Sequence, residues 1–125
     1  MARASSRTLL VAAILATLAT GVLLLVPMPA GAEGIGPPQS DKIVHVALFG
    51  GLAGLWWWAL RPLPRGRSLA LCAGVALYGG LLELLQTLTP YRTGDWLDFA
   101  ADAAGAAAAA VVALALPATW RGEPG

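Results

Sequence analysis

The chain has 125 residues, 58% of them hydrophobic and 12% charged, with a formal net charge of +1. That is too little polar surface to coat a water-soluble globule of this size, so the lipid bilayer is the expected solvent. The few basic residues lie in short clusters rather than in a continuous stripe, which excludes a nucleic-acid binder, and a single cysteine excludes an internal disulfide, a Cys-x-x-Cys redox pair and a thiolate zinc site.

A bilayer-spanning helix needs about 20 mostly apolar residues, and four windows qualify: residues 8–26, 43–60, 68–88 and 99–116. The first follows Arg3 and Arg7 and stops at Pro27. With Ala30-Gly31-Ala32 beyond it, this stretch also resembles a secretory signal and its cleavage site, but its apolar core is longer than the about 7 to 15 residues of such signals, so a retained helix is expected. The second window is opened by Asp41, Lys42 and His45, carries Gly50 and Gly54 as a small-xxx-small pair, and closes on Trp56, Trp57 and Trp58 before Pro62. The third holds Cys72, read as a small buried or lipid-facing side chain, and bears Glu83 and Gln86 near its end, with Pro90 beyond. The fourth is opened by Asp98 and Asp102, presents Ala101, Gly105 and Ala109 as a second close-packing face, and ends before Pro117 and Trp120. Prolines just past each window act as stops. The predicted fold is an all-α membrane protein, a four-transmembrane-helix bundle forming one domain over residues 1–125.

Six of the eight basic residues (Arg3, Arg7, Arg61, Arg65, Arg67 and Arg121) lie before the first span, between the second and third, or after the fourth. By the positive-inside rule these segments are cytoplasmic, which puts both termini inside and Asp41, Arg92, Asp95 and Asp98 outside, in a bacterial cytoplasmic membrane. The tryptophans are read as anchors at the inner headgroup boundary.

In antiparallel helices the polar residues at membrane depth then meet at one face of the bilayer. Charges at that depth are expensive and mark functional-site candidates. Asp41 and His45 are four apart, Glu83 and Gln86 three apart, and Asp95, Asp98 and Asp102 follow spacings of three and four, so each set shares a helix face. The candidate polar cluster is Asp41, Lys42, His45, Glu83, Gln86, Arg92, Asp98 and Asp102. So many carboxylates in low dielectric need cationic partners, a metal or protons. Glu83, deepest and flanked by leucines, is expected to pair with His45 or Lys42 or to be protonated. A bland alternative is a hydrogen-bond network that only sets helix register, and Arg92 with Asp95 also reads as part of a solvated turn.

These residues carry a resemblance to the VanZ-like membrane proteins: Asp41-Lys42-x-x-His45 opening a helix, Glu83-x-x-Gln86 near the end of the next, Pro90-x-Arg92, and Asp98-x-x-x-Asp102-x-x-Gly105 opening the last. It spans about residues 40–110. The resemblance implies a four-helix layout and an association with low-level resistance to teicoplanin, a lipid-anchored glycopeptide. Asp102 departs from it, since the family more often has Asn there, and the extra carboxylate calls for an offsetting proton or cation.

Two functions follow. The favoured one is a cell-envelope protein with no cofactor, whose outward pocket binds a membrane lipid headgroup, a cell-wall precursor or a glycopeptide antibiotic. Lys42 and Arg92 would meet anionic groups, and Asp41, Asp98 and Glu83 would accept hydrogen bonds. The alternative is a small enzyme acting on a lipid-linked substrate, with Glu83 or His45 as general base and Asp98 and Asp102 holding a divalent cation. Ion-coupled transport through an oligomer ranks below both, because the inner halves of the spans lack ionisable residues.

Overall fold

The computed structural model describes residues 5–27, 40–90 and 94–125. Among them are four helices, α1 (Ser6–Leu25), α2 (Ser40–Leu60), α3 (Arg65–Thr87) and α4 (Trp96–Ala115), followed by a single 3-10 turn, Ala118–Arg121. Each of the four is long and apolar enough to cross a membrane. All four begin ahead of the windows that hydropathy alone marks out, because a helix N-terminus accepts polar residues that a hydropathy window rejects. Ser5 caps α1 by accepting from the Thr8 N–H, Asp95 caps α4 by accepting from the Leu97 N–H, and Asp41 sits in the first turn of α2, where the helix dipole favours its charge. Asp41 and Lys42 are therefore helical residues.

Apolar side chains cover the outside as well as the inside. Leu15, Leu18 and Val22 on α1, Leu77 and Leu84 on α3, and Val111 and Val112 on α4 are all more than half exposed. A face of this kind suits acyl chains and would be a liability in water. In lipid the helices gain little by hiding such residues from the tails, so association depends on close packing and interhelical hydrogen bonds. The core, around Phe49, Leu52, Ala53, Cys72, Val75, Leu82 and Ala106, is built largely from small and medium side chains.

The tightest crossing is between α2 and α4. A Cβ placed on Gly50 would lie 3.2 Å from the Gly105 carbonyl oxygen, and one placed on Gly105 would run into Val46 O and Gly50 N. Gly50 and Gly105 thus let two backbones touch, as the small-residue spacing predicts. Gly54 does not join them, because nothing lies within 4 Å of where its Cβ would be. The first helix packs as a member of the bundle: the Tyr78 hydroxyl donates to Thr17 O at 2.7 Å and Trp56 Nε1 to Thr17 Oγ1 at 2.8 Å. Ala30-Gly31-Ala32 lies outside the described residues.

The tryptophans divide into two kinds. Trp57 is buried and donates to Ser68 Oγ at 2.9 Å, so it and Trp56 link helices rather than anchor the bundle to headgroups. Trp58 and Trp120 meet edge to face, with the Arg61 guanidinium 3.8 Å from the Trp58 ring centre, the arrangement expected at a polar boundary. At this basic end Arg121 is buried and its Nη1 donates to the carbonyls of Ala113, Leu114 and Leu116, closing off α4. The Arg65 N–H and Arg121 both donate to Glu123 and hold its carboxyl below the ordinary value. The ends of α1 and α3 and the starts of α2 and α4 lie together at the opposite end.

Candidate functional site

At that opposite end the first turns of α2 and α4 face each other, held there by the Gly50–Gly105 crossing, and the last turns of α3 close a third side. Helical spacing sets Lys42 and His45 on one face of α2, and Asp95, Asp98 and Asp102 on one face of α4. Their side chains lie in three tiers.

In the outer tier Lys42 Nζ donates to Asp41 Oδ2 at 3.0 Å, Asp95 Oδ2 at 2.9 Å and Asp98 Oδ1 at 2.5 Å. An ammonium has three N–H groups, and all three are taken. The sequence reading that Lys42 meets an anionic ligand is therefore not met in this arrangement, in which its charge is spent on α4 and its own helix. The lysine holds the Asp95 carboxyl, just ahead of α4, below its ordinary value. Asp41 is a rim residue, its side chain 61% exposed.

In the middle tier Asp98 turns its second oxygen inward, with Oδ2 3.7 Å from His45 Nε2. Glu83, buried on α3, accepts the Asp95 N–H through Oε2 at 3.0 Å. Glu83 Oε1 is equally buried and has no hydrogen-bond partner among the described residues. The expected pairing of Glu83 with Lys42 or His45 is not formed as a hydrogen bond; among the described residues its polar partner is the backbone at the start of α4.

In the inner tier His45 Nδ1 lies 2.6 Å from Asp102 Oδ1. An ionised carboxylate only accepts, so this contact puts the ring hydrogen on Nδ1 and turns Nε2 toward Asp98 and Glu83. Phe49, four residues along α2, lies parallel to the imidazole with ring centres 6.4 Å apart. Asp102 is fully buried, and its Oδ2 has no hydrogen-bond partner among the described residues. It fits because Gly79 offers no side chain: a Cβ there would come within 2.6 Å of Oδ2.

Five carboxyl groups thus share this end with one lysine and one imidazole among the described residues. His45, Glu83 and Asp98 each offer one ligand atom, all within 4.8 Å of one another. This differs from the cation pair Asp98 and Asp102 of the enzyme reading, since Asp102 stands behind His45 and holds its ring. Gln86 leaves the cluster as well. Its Nε2 donates to Leu24 O at 2.6 Å, tying α3 to the last turn of α1. Arg92 lies outside the described residues.

Two contributors escape a reading by residue chemistry alone. Asp95 looks like a solvated turn residue, yet it caps α4, binds Lys42 through its side chain and binds Glu83 through its N–H. Gly79 carries no chemistry, but it precedes Glu83 by four positions and so shares its face, which was the available signal.

Fold and site together define a small multi-pass α-helical membrane protein with an acidic cluster buried at one end of the bundle. A profile of the VanZ/LLP1 family matches residues 7–117, and the chain belongs to that family. No curated protein and no solved structure matches it.

Proposed function

We propose that this protein is a binding protein of the bacterial cytoplasmic membrane, with the acidic end facing outward, and that it takes the polar head of an amphiphile: a lipid headgroup, a cell-wall precursor or a glycopeptide of the teicoplanin type. The basic end, with Arg61, Arg65, Arg67 and Arg121, is the side that the positive-inside rule assigns to the cytoplasm. The observation that carries the reading is the acceptor excess at the other end, above all the unpartnered, buried Oε1 of Glu83. With the donors of Lys42 already taken, a ligand here is recognised by the hydrogen-bond donors that it brings, namely hydroxyl, amide or amine groups.

A tail also has somewhere to go. An apolar groove of about 560 Å³ runs between α2 and α4 from Val46 past Gly51, Gly54 and Ala108 to Trp120. It begins one residue beyond His45 on α2, so head and chain can be held on the same helix pair.

Thermal unfolding of the purified protein in micelles tests this. A lipid-anchored glycopeptide should raise the midpoint, a glycopeptide of the same class without the acyl chain should raise it less, and Glu83→Gln should remove the response. Equal shifts in parent and Glu83→Gln, or no shift with precursor lipid or glycopeptide, would refute the reading.

A further inference from the structure

We infer that His45 Nε2, Glu83 Oε1 and Asp98 Oδ2 form a binding site for one divalent transition-metal ion, Mn2+ or Zn2+, with Asp102 as its positioning residue. Three independent features converge on it. The first is geometric: the three residues offer ligand atoms within 4.8 Å of one another, and Nε2 and Oδ2 are 3.7 Å apart. Metal–ligand bonds of about 2.0–2.2 Å at tetrahedral angles place the ligands of one ion about 3.3–3.6 Å apart, so closing the set takes side-chain movements of about 1 Å.

The second feature is an acceptor atom with no partner among the described residues. Glu83 is 2% exposed and its Oε1 has no hydrogen-bond partner among the described residues, a costly arrangement unless something else claims the atom. His45 Nε2 is turned away from the Asp102 contact and lies beyond hydrogen-bond reach of Asp98. A carboxylate on the far nitrogen of an imidazole is the arrangement that holds a metal-ligating histidine in its tautomer and raises its basicity.

Charge is the third. The inner carboxylates Glu83, Asp98 and Asp102 face Lys42 as their one fixed cation among the described residues. When these groups are ionised, the surplus favours a bound cation. One imidazole with two carboxylates favours first-row transition ions over Mg2+ and Ca2+, which take oxygen sets, and no thiolate is near to select softer metals.

The inference shares a pocket with the proposed amphiphile but does not depend on one, so it is tested without it. The full chain in maltoside micelles, stripped with EDTA and exchanged into metal-free buffer, is titrated with MnCl2 while the paramagnetic resonance signal of free Mn2+ is followed. One Mn2+ should be retained per chain, displaced by Zn2+ and not by a large excess of Mg2+. Glu83→Gln and His45→Gln should weaken retention at least tenfold, with elution volume and tryptophan fluorescence unchanged. Asp102→Asn should weaken it by about 10–100-fold while leaving the melting midpoint in EDTA within a few degrees of the parent's. A free-ion signal unaffected by protein, or Mn2+ retention that a folded Glu83→Gln keeps in full, would overturn the inference. Amphiphile binding that persists in EDTA leaves the functional reading standing when the metal fails, and metal retention without amphiphile binding does the reverse.

Discussion

Asp102 and Gly79 show how closely the site is fitted at the scale of single residues. The carboxylate is held by one hydrogen bond from His45 and otherwise lies against a backbone that has no Cβ. Gly79→Ala should therefore push Asp102 off His45 and cost about 1–3 kcal/mol as overpacking, whereas Gly51→Ala, with nothing within 4 Å of its new methyl group, should leave stability unchanged. Denaturant titration of both variants in the same micelles checks this, and equal effects would contradict it. Part of this scale was legible beforehand: the spacing of Asp95, Asp98 and Asp102 put them on one face of α4, but the expected pairing of Asp41 with His45 is not seen, since Asp41 lies exposed at the rim and Lys42, three residues before His45, turns inward instead. What spacing does not carry is the distance between helices. Hence the partner of Gln86, a carbonyl on α1, and the capture of all three Lys42 donors by carboxylates could not be read from the order of residues.

Helices meet by different means in different parts of the bundle. Midway along the bundle α2 and α4 touch through Gly50 and Gly105, and this close approach lets the acidic ends of the two helices converge, with His45 2.6 Å from Asp102. At the basic end, Arg121 satisfies carbonyls that the last turn of α4 leaves without helical partners. Substitutions at the two places should have different effects. Arg121→Ala should lower stability by about 1–3 kcal/mol, the cost of stranding buried acceptors, and keep the ligand-induced rise in melting midpoint. Gly105→Leu should wedge α2 from α4 and abolish that rise even where the protein still inserts. Loss of the response in Arg121→Ala, or its survival in Gly105→Leu, would show that the crossing does not build the site. The four helices themselves were legible from hydropathy and proline stops. Their starts were placed late because Ser40, Asp41 and Asp95 favour helix N-termini for electrostatic and capping reasons that an apolar window does not register.

Across the whole molecule, one observation organises the rest: this chain buries more carboxyl groups than the nearby cationic groups can pair, at one end of a bundle joined by small-residue packing and interhelical hydrogen bonds. Burying a carboxyl oxygen without a partner opposes folding, so its presence calls for a role other than stability, and functional sites are where proteins tolerate such a penalty. A register-setting network makes the opposite demand, since every member would then contribute to holding the helices. The tryptophans illustrate why sequence alone could not decide between the two. Trp57 and Trp58 are neighbours of identical chemistry, yet one is a buried link and the other a boundary residue, and the burial that separates them is set by the assembled bundle.

The measurement that bears most directly on this claim is the melting midpoint of Glu83→Gln beside that of the parent chain, both free of ligand and in EDTA. If Glu83 serves a ligand, neutralising it leaves the midpoint unchanged or raises it. A midpoint lowered by many degrees would mean that the charge holds the bundle together, and would contradict the account.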